Sequence, residues 1–408
     1  MAKKKNEDGM YAEIAKDSGG QVFEDIANIA YFIDTGNFAV NYICSGKFYH
    51  GGIPGGKITE AFGPESSGKS LWGYRLLSAI QKIGGIGVYL DCERAANPGF
   101  ARNIGHMDTT KTFIYYPATF SQIENSVIAA TQAIRKHKGK DVPILFVWDS
   151  IGVTMCEREW NDIQSKKVVK KPKKDEDGNE IVEEVKESKE QPGERAKRAG
   201  AVLRKLTPFL DENNATMYVV NQIRSKVGVV YGDPDTGAGG GRALPYYASL
   251  RLKLNAQKKM EDKVLKIPLG INLKITNKKN RSFKPFLSTE GVQLYFDQGI
   301  NPLGGLLSAL LGAKRVVPAG KGNYQVAEPF ADGRVIKFKA SKERNDVPLS
   351  LLLDCPALVD ASSADNIKDY LGAYAEAIEL SNSDDIAEIE VQDEGDDVSE
   401  LVSQFATQ

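Results

Sequence analysis

At 408 residues, 41% hydrophobic and 26% charged, the chain is long for one ordinary domain, so a core with appendages is expected. No apolar run is long enough to span a bilayer and the first eight residues lack a signal peptide's apolar stretch, while four scattered cysteines without a C-x-x-C pair suggest neither a zinc site nor a disulfide framework, so a cytoplasmic protein with no membrane partner is expected. The net charge of −1 hides an asymmetry: residues 384–400 hold nine acidic residues and no basic one, against 53 basic and 45 acidic over residues 1–383.

In chain order, residues 1–30 are polar with one weak helical stretch near 11–15, and residues 31–50 read as a short strand and a helix. An α/β alternation follows: strand 58–62, helix 69–83, strand 86–90, helix 100–104, strand 112–116, helix 121–136, strand 143–148, helix 195–212 and strand 215–220. Segments 249–255 and 270–276 read as further strands, expected as antiparallel additions at one side. Residues 157–194 break the pattern, with six lysines at 166–174 and eight acidic residues at 175–190. With Asp177-Gly178 between two Val/Ile pairs, this insert reads either as a protruding β-hairpin or as a disordered charged arm. Residues 301–380 carry a mixed pattern suited to a small α/β domain. The acidic end is expected to be disordered, acting either as a competitor for the body's basic surface or as an aid to solubility.

The order strand, glycine-bracketed turn, helix start recurs at Gly63-Pro64-Glu65-Ser66-Ser67-Gly68-Lys69-Ser70. Glycines let backbone N–H groups approach phosphate oxygens, and the helix N-terminus adds partial positive charge. In such a P-loop Lys69 reaches the β- and γ-phosphates of ATP and the Ser70 hydroxyl ligates Mg²⁺. A second element is expected, an acidic residue ending an apolar strand, and Asp149 after residues 143–148 provides it as a Mg²⁺ holder. Tyr89-Leu90-Asp91-Cys92-Glu93 ends another strand; in a parallel sheet its carboxyl end lies beside the P-loop. There Glu93 either positions the attacking water or is a solvated strand-end carboxylate, and spacing alone leaves both open.

Taken together, these motifs and their order resemble the RecA family of homologous recombinases, from about residue 32 to 302 with the insert interrupting. Residues 63–70 resemble the family's GPESSGK[ST] loop, residues 89–98 its F-I-D-A-E-H-A-L-D-P segment, and Asp149-Ser150 its Walker B ending. Asn221-Gln222-Ile223-Arg224 is similar to the NQIR motif, followed by glycine-rich 237–241 and by Ala243-Leu244-Pro245-Tyr246-Tyr247-Ala248-Ser249. The resemblance implies an α/β fold: a RecA-like P-loop ATPase core, a mostly parallel twisted sheet flanked by helices, with a small N-terminal polymerisation segment and a small C-terminal α/β domain. The expected boundaries are 1–45, 46–302 with a DNA loop at 223–242, 303–380, and a tail from 381 to 408.

The resemblance also implies roles. Glu93 becomes the catalytic carboxylate and Gln222 the sensor of the γ-phosphate. Phe100 takes the place of an adenine-stacking tyrosine, Asn97 of an adenine-contacting aspartate, and Phe296 of a second base-contacting tyrosine. Lys279 and Arg281 stand where two basic residues reach the neighbouring subunit's ATP, an arginine-finger arrangement between subunits. For DNA, the loop offers Arg224, Lys226 and Arg242 as phosphate contacts, Gly240 and Gly241 for close backbone approach, and Tyr231 as an aromatic. Lys197 and Arg204, seven apart, share a helix face near the first DNA loop, where Pro192 takes the place of a methionine wedge. The lysine run 166–174 is either an accessory DNA or protein contact or a solvated arm.

The function implied is an ATP- and Mg²⁺-dependent recombinase, a DNA-dependent ATPase that forms a helical filament on single-stranded DNA and exchanges strands with homologous duplex DNA. Loader or single-strand-binding proteins are further expected partners. Two rivals share the core: a hexameric DNA helicase or motor, and a DNA-binding mediator that uses ATP as a switch. The NQIR segment speaks against the first, and intact Lys69, Glu93 and Asp149 against the second.

Overall fold

The computed structural model describes residues 2–20, 22, 29–165, 173–174, 180–181, 193–225, 235–237, 241–262, 264–320, 322–328, 330–331, 333–340, 345, 347–372 and 390–393. Helix α1 (Ala2–Ser18) comes first, longer than the weak stretch expected there. Next, β1 (Phe32–Ile33) pairs antiparallel with β2 (Ile53–Pro54) around α2 (Phe38–Ser45). The Asn37 side chain caps α2 by accepting from Val40 N, and Gly46 ends it in a left-handed conformation.

The core alternation is β3 (Ile58–Gly63), α3 (Lys69–Lys82), β4 (Ile86–Asp91), α4 (Pro98–Asn103), β5 (Thr112–Tyr115), α5 (Phe120–Lys138) and β6 (Ile144–Asp149). Every residue of β3 and β6 is buried, as in strands covered on both faces. On α5 the buried positions Phe120, Ile123, Val127, Ala130, Thr131 and Ile134 form one stripe, and four basic residues complement the dipole of its last turn. In the insert, α6 (Glu157–Ser165) is followed by β7 (Lys173–Lys174) and β8 (Glu180–Ile181), two short strands paired antiparallel, which is the hairpin alternative in its backbone.

Beyond the insert come α7 (Glu194–Glu212), β9 (Ala215–Ser225), β10 (Asp235–Gly237), α8 (Ala243–Tyr247), β11 (Leu250–Glu261), β12 (Pro268–Asn280), β13 (Ser288–Tyr295) and β14 (Gly299–Ile300). The sheet order is β14-β13-β12-β11-β3-β9-β6-β4-β5, with β10 on β9. Every pairing from β5 to β11 is parallel. The expectation for 249–255 is corrected here: β11 runs parallel to β3, with Leu250 opposite Thr59, and antiparallel pairing starts at β12. The chain passes from β9 across β3 to β11, and such a crossover keeps the strand direction.

The C-terminal unit holds α9 (Leu306–Gly312), β15 (Val316–Pro318), β16 (Asn323–Val326), β17 (Arg334–Lys339), α10 (Leu349–Asp354), α11 (Ala364–Leu371) and β18 (Glu390–Asp393). Its sheet order is β15-β16-β17-β18. Strand β18 belongs to the acidic tail and pairs with β17, placing Arg334 opposite Asp393 and Lys337 opposite Glu390. Phe38, Ala39 and Phe48 join the core of this unit, whereas Val40, Ile43 and Cys44 join that of the large sheet. A polar knot adds to the join: Asn41 Nδ2 donates to Asp34 Oδ2 at 2.7 Å and the Tyr370 hydroxyl to Asp34 Oδ1 at 3.1 Å. Burial raises the Asp34 pKa despite these bonds. Among the described residues no helix is long and apolar enough to cross a membrane.

Candidate nucleotide site

Parallel pairing brings the carboxyl ends of β3, β4, β6 and β9 to one edge of the sheet. Gly63 lies opposite Gln222, and Asp91 opposite Asp149. The P-loop connects β3 to α3 there. Gly68 precedes α3 with φ of 80°, a left-handed backbone that favours glycine, and a Cβ on it would stand 2.4 Å from Leu294 Cδ1, which would have to move aside. No side chain caps α3, which leaves its first N–H groups directed at the turn.

Lys69 is buried and folds into this turn, donating from Nζ to Gly63 O (3.1 Å), Pro64 O (2.5 Å) and Ser67 Oγ (3.3 Å). Burial lowers its pKa, while Asp149, Glu93 and Glu65 pull the other way. Burial raises the Asp149 pKa, opposed by hydrogen bonds from Ser70 and from Tyr89, whose hydroxyl donates to Oδ2 at 2.6 Å. Glu93 is exposed, and its Oε1 accepts from the Ser150 hydroxyl at 2.6 Å. Asp91, buried, accepts from Ala95 N and Ala96 N and so shapes the turn that carries Glu93.

These residues fit a magnesium nucleotide. The Lys69 ammonium already donates to three oxygens of the loop, where a phosphate would give it a charged partner. Asp149 and the Ser70 hydroxyl make an all-oxygen pair suited to Mg²⁺, and a cation there offsets the cost of the buried carboxylate.

Residues 97–108 cross over α3, held by Ser78 Oγ to His106 O (2.6 Å) and Gln81 Nε2 to Asp108 O (2.9 Å). They reach the segment after β13, where His106 Nε2 lies 3.3 Å from Gln298 O. Phe100 (42% exposed) and Phe296 (49% exposed) thus stand on segments brought together above α3, each with an aromatic face in solvent. Asn97 Oδ1 caps α4 by accepting from Phe100 N at 3.0 Å, a role legible from Asn97-Pro98 as a helix start.

Lys279 and Arg281 sit at the other edge. Lys279 pairs with Arg251, which pairs with Glu60, three residues before Gly63 and so about 10 Å along the strand. Lys279 Nζ donates to Pro245 O and Tyr246 O, both at 2.8 Å, and Arg281 Nη2 to Tyr246 O at 3.2 Å. Burial and the charges of Arg281 and Arg251 lower the Lys279 pKa.

Between the edges lies a cluster that sequence reasoning missed. Glu60, fully buried, accepts from Asn221 Nδ2 at 2.8 Å and from Arg251 Nε, and the Arg251 guanidinium stacks 4.6 Å from the Phe62 ring centre. A carboxylate inside an otherwise apolar central strand was the available signal, because such a charge is kept only when paired.

Of the DNA candidates, Lys197 and Arg204 are exposed on α7, and Arg242 opens α8. Gly241 lies against α7, where an added Cβ would stand 2.6 Å from Ala196 Cβ. Arg224 is in β9, its side chain outside the described residues, as are Lys226, Gly240, Tyr231 and Pro192.

A family model for the RecA N-terminal domain matches residues 19–171 and 172–301. Protein RecA of Thermus aquaticus is 31% identical over 270 residues, covering 66% of this chain and 69% of that protein. For Geobacter metallireducens RecA the figures are 31% over 286 residues, 70% and 74%, and for Chlorobium limicola RecA 30% over 295 residues, 72% and 74%. With the nucleotide-loop geometry and these matches together, the chain belongs to the RecA family.

Proposed function

We propose that the protein is an ATP-dependent recombinase that assembles head-to-tail on single-stranded DNA and exchanges strands with a homologous duplex. The observation that carries this reading is the separation of the two cation sets: Lys69 lies at the carboxyl edge, while Lys279 and Arg281 lie at the amino edge. A subunit so built completes its nucleotide site with a neighbour's amino edge. The contact is heterologous and need not close, which yields a helical filament.

In this reading Lys69, the α3 N-terminus, Ser70 and Asp149 bind the triphosphate and its Mg²⁺, and Phe100 and Phe296 offer faces to the base, with Asn97 shaping the turn below. When bound, Mg²⁺ supplies positive charge against the phosphate oxygens. Glu93 holds the attacking water: its Oε1 is engaged by Ser150, leaving Oε2 to accept the water's hydrogen bond. Lys279 and Arg281 of the next subunit neutralise charge developing on the transferred group, so turnover follows assembly. Gln222, beside Gly63, reports the state of the γ-phosphate to the DNA loop at 223–242. Lys197, Arg204, Arg224, Lys226 and Arg242, with close approach at Gly240 and Gly241, take the DNA phosphates.

Electron microscopy with single-stranded DNA and a slowly hydrolysed ATP analogue tests this. Continuous helical filaments that need both ligands are expected. Closed rings would favour a DNA motor, and dispersed particles would remove the inter-subunit role of Lys279 and Arg281.

A further inference from the structure

Helix α7 begins where the charged insert ends, and its first turn carries an arginine that none of the roles above uses. Arg195 Nη2 donates to Gly152 O at 2.6 Å and to Thr154 O at 2.9 Å. Those carbonyls belong to the turn that leaves β6, and Ser150 at the head of that turn donates to Glu93 Oε1 at 2.6 Å. The turn is cross-braced: Thr154 Oγ1 donates to Ser150 O at 3.0 Å and accepts from Trp148 Nε1 at 2.9 Å. Moving the carbonyls of Gly152 and Thr154 therefore moves Ser150, and with it the oxygen that fixes the Glu93 rotamer.

The other end of this connection faces the DNA candidates. Lys197 follows Arg195 by two residues on the same turn. Gly241, where the second DNA loop rejoins the described chain, lies against Ala196, and Arg242 follows it. The first turn of α7 thus borders both loop exits. Its glycine N-cap, Gly193 at φ 83°, makes no side-chain cap bond, and among the described residues Arg195 ties this turn to the turn after β6, with Arg198 pairing to Glu157 of α6 just beyond it.

We propose that Arg195 is a positioning residue that couples DNA contact on α7 to the Glu93 carboxylate. DNA phosphates ordering Lys197 and Arg242 set the first turn of α7. Arg195 passes that setting to the Gly152–Thr154 carbonyls, and Ser150 then holds Glu93 in its water-directing rotamer. A guanidinium suits the task because its Nη2 carries two N–H donors, one for each carbonyl, and the group stays charged throughout. The inference rests on the proposed reading as a DNA-dependent ATPase.

The test compares ATP turnover of the full-length chain with and without single-stranded oligonucleotide, for wild type, R195M and R195K. R195M is expected to lower DNA-stimulated kcat by ~10-fold while DNA-independent kcat and oligonucleotide Kd change by less than about twofold. R195K, which keeps the charge and N–H donors on a shorter stem without the planar group, is expected to recover part of the stimulation. An equal fall of both rates in R195M means a merely structural clamp and overturns the proposal, as does undiminished stimulation. Should R195M fail to fold, R195Q carries the same comparison, with the same two outcomes deciding. A wild type without DNA stimulation would defeat the recombinase reading, and the inference with it. Stimulation equal in wild type and variant defeats the role of Arg195 alone.

Discussion

The carboxyl and amino edges of the parallel strands differ in how their charges are satisfied. At the carboxyl edge, Lys69, Ser70, Asp149 and Glu93 lie within one another's fields, and two buried charged groups are shifted from their ordinary pKa values. At the amino edge, Lys279 and Arg281 rest on carbonyl oxygens of α8, which are neutral partners. A cation held by neutral carbonyls has no opposite charge beside it, and an anionic phosphate would add that Coulomb attraction. In the proposed reading, the contrast separates a site prepared within one chain from a pair of cations prepared for another.

The sharpest way to break the comparison is to remove the amino-edge pair. K279A/R281A is expected to lower DNA-stimulated turnover by ~10³-fold or more, as for an arginine finger, while ATP binding by isolated subunits is retained. Mixing this variant with E93Q should restore part of the activity, since some interfaces then join an intact Glu93 to intact Lys279 and Arg281. Mixtures that stay inactive at every ratio would assign both sets to one chain.

The E93Q change by itself acts at the carboxyl edge. Turnover should fall by ~10²–10³-fold with nucleotide affinity maintained, because Gln cannot take a proton from water. Single-turnover kinetics beside equilibrium binding separates the two effects, and unchanged turnover would release Glu93 from its role.

A smaller effect is expected at the clasp between the edges. E60Q keeps an acceptor for Asn221 but leaves the Arg251 charge without its carboxylate, costing about 1–3 kcal/mol of stability in urea unfolding. An unchanged midpoint would mean that the stacking of Arg251 on Phe62 suffices.

The smallest effect is a pH dependence. The Asp149 pKa is raised in the fold, so the stability it contributes is present at low pH and lost as pH rises through the raised value. A bound cation compensates for that loss above it. The thermal shift on adding Mg²⁺ with nucleotide should therefore grow as pH rises from the ordinary carboxylate range through the raised Asp149 value, and D149N should remove the growth. A shift independent of pH in the wild type would detach Asp149 from the cation.

Much of the core was legible because its strands are buried on both faces: uninterrupted apolar runs such as 144–148 allow few other readings. Lys69 at the start of α3 and Asp149 at the end of β6 were placed by the phosphate-loop motif and the apolar strand before Asp149, whereas the role of Glu93 was named only through the family resemblance. The direction of β11 was not, since it depends on the crossover above β3 rather than on any residue within 250–261. Glu60 escaped notice because its partners Asn221 and Arg251 lie 161 and 191 residues further on. Asn97 was assigned to the nucleotide by resemblance, while its side-chain oxygen serves the α4 cap.

The sequence by itself determined the order of the elements, the phosphate loop and the chemical types gathered around it, because local periodicity and short motifs are properties of neighbouring residues. Tertiary structure alone decided which edge each cation occupies, which segments meet above α3, and that Arg195 joins the start of α7 to the turn behind Glu93. Those relations arise from strand order and crossovers, which place distant residues within hydrogen-bond reach.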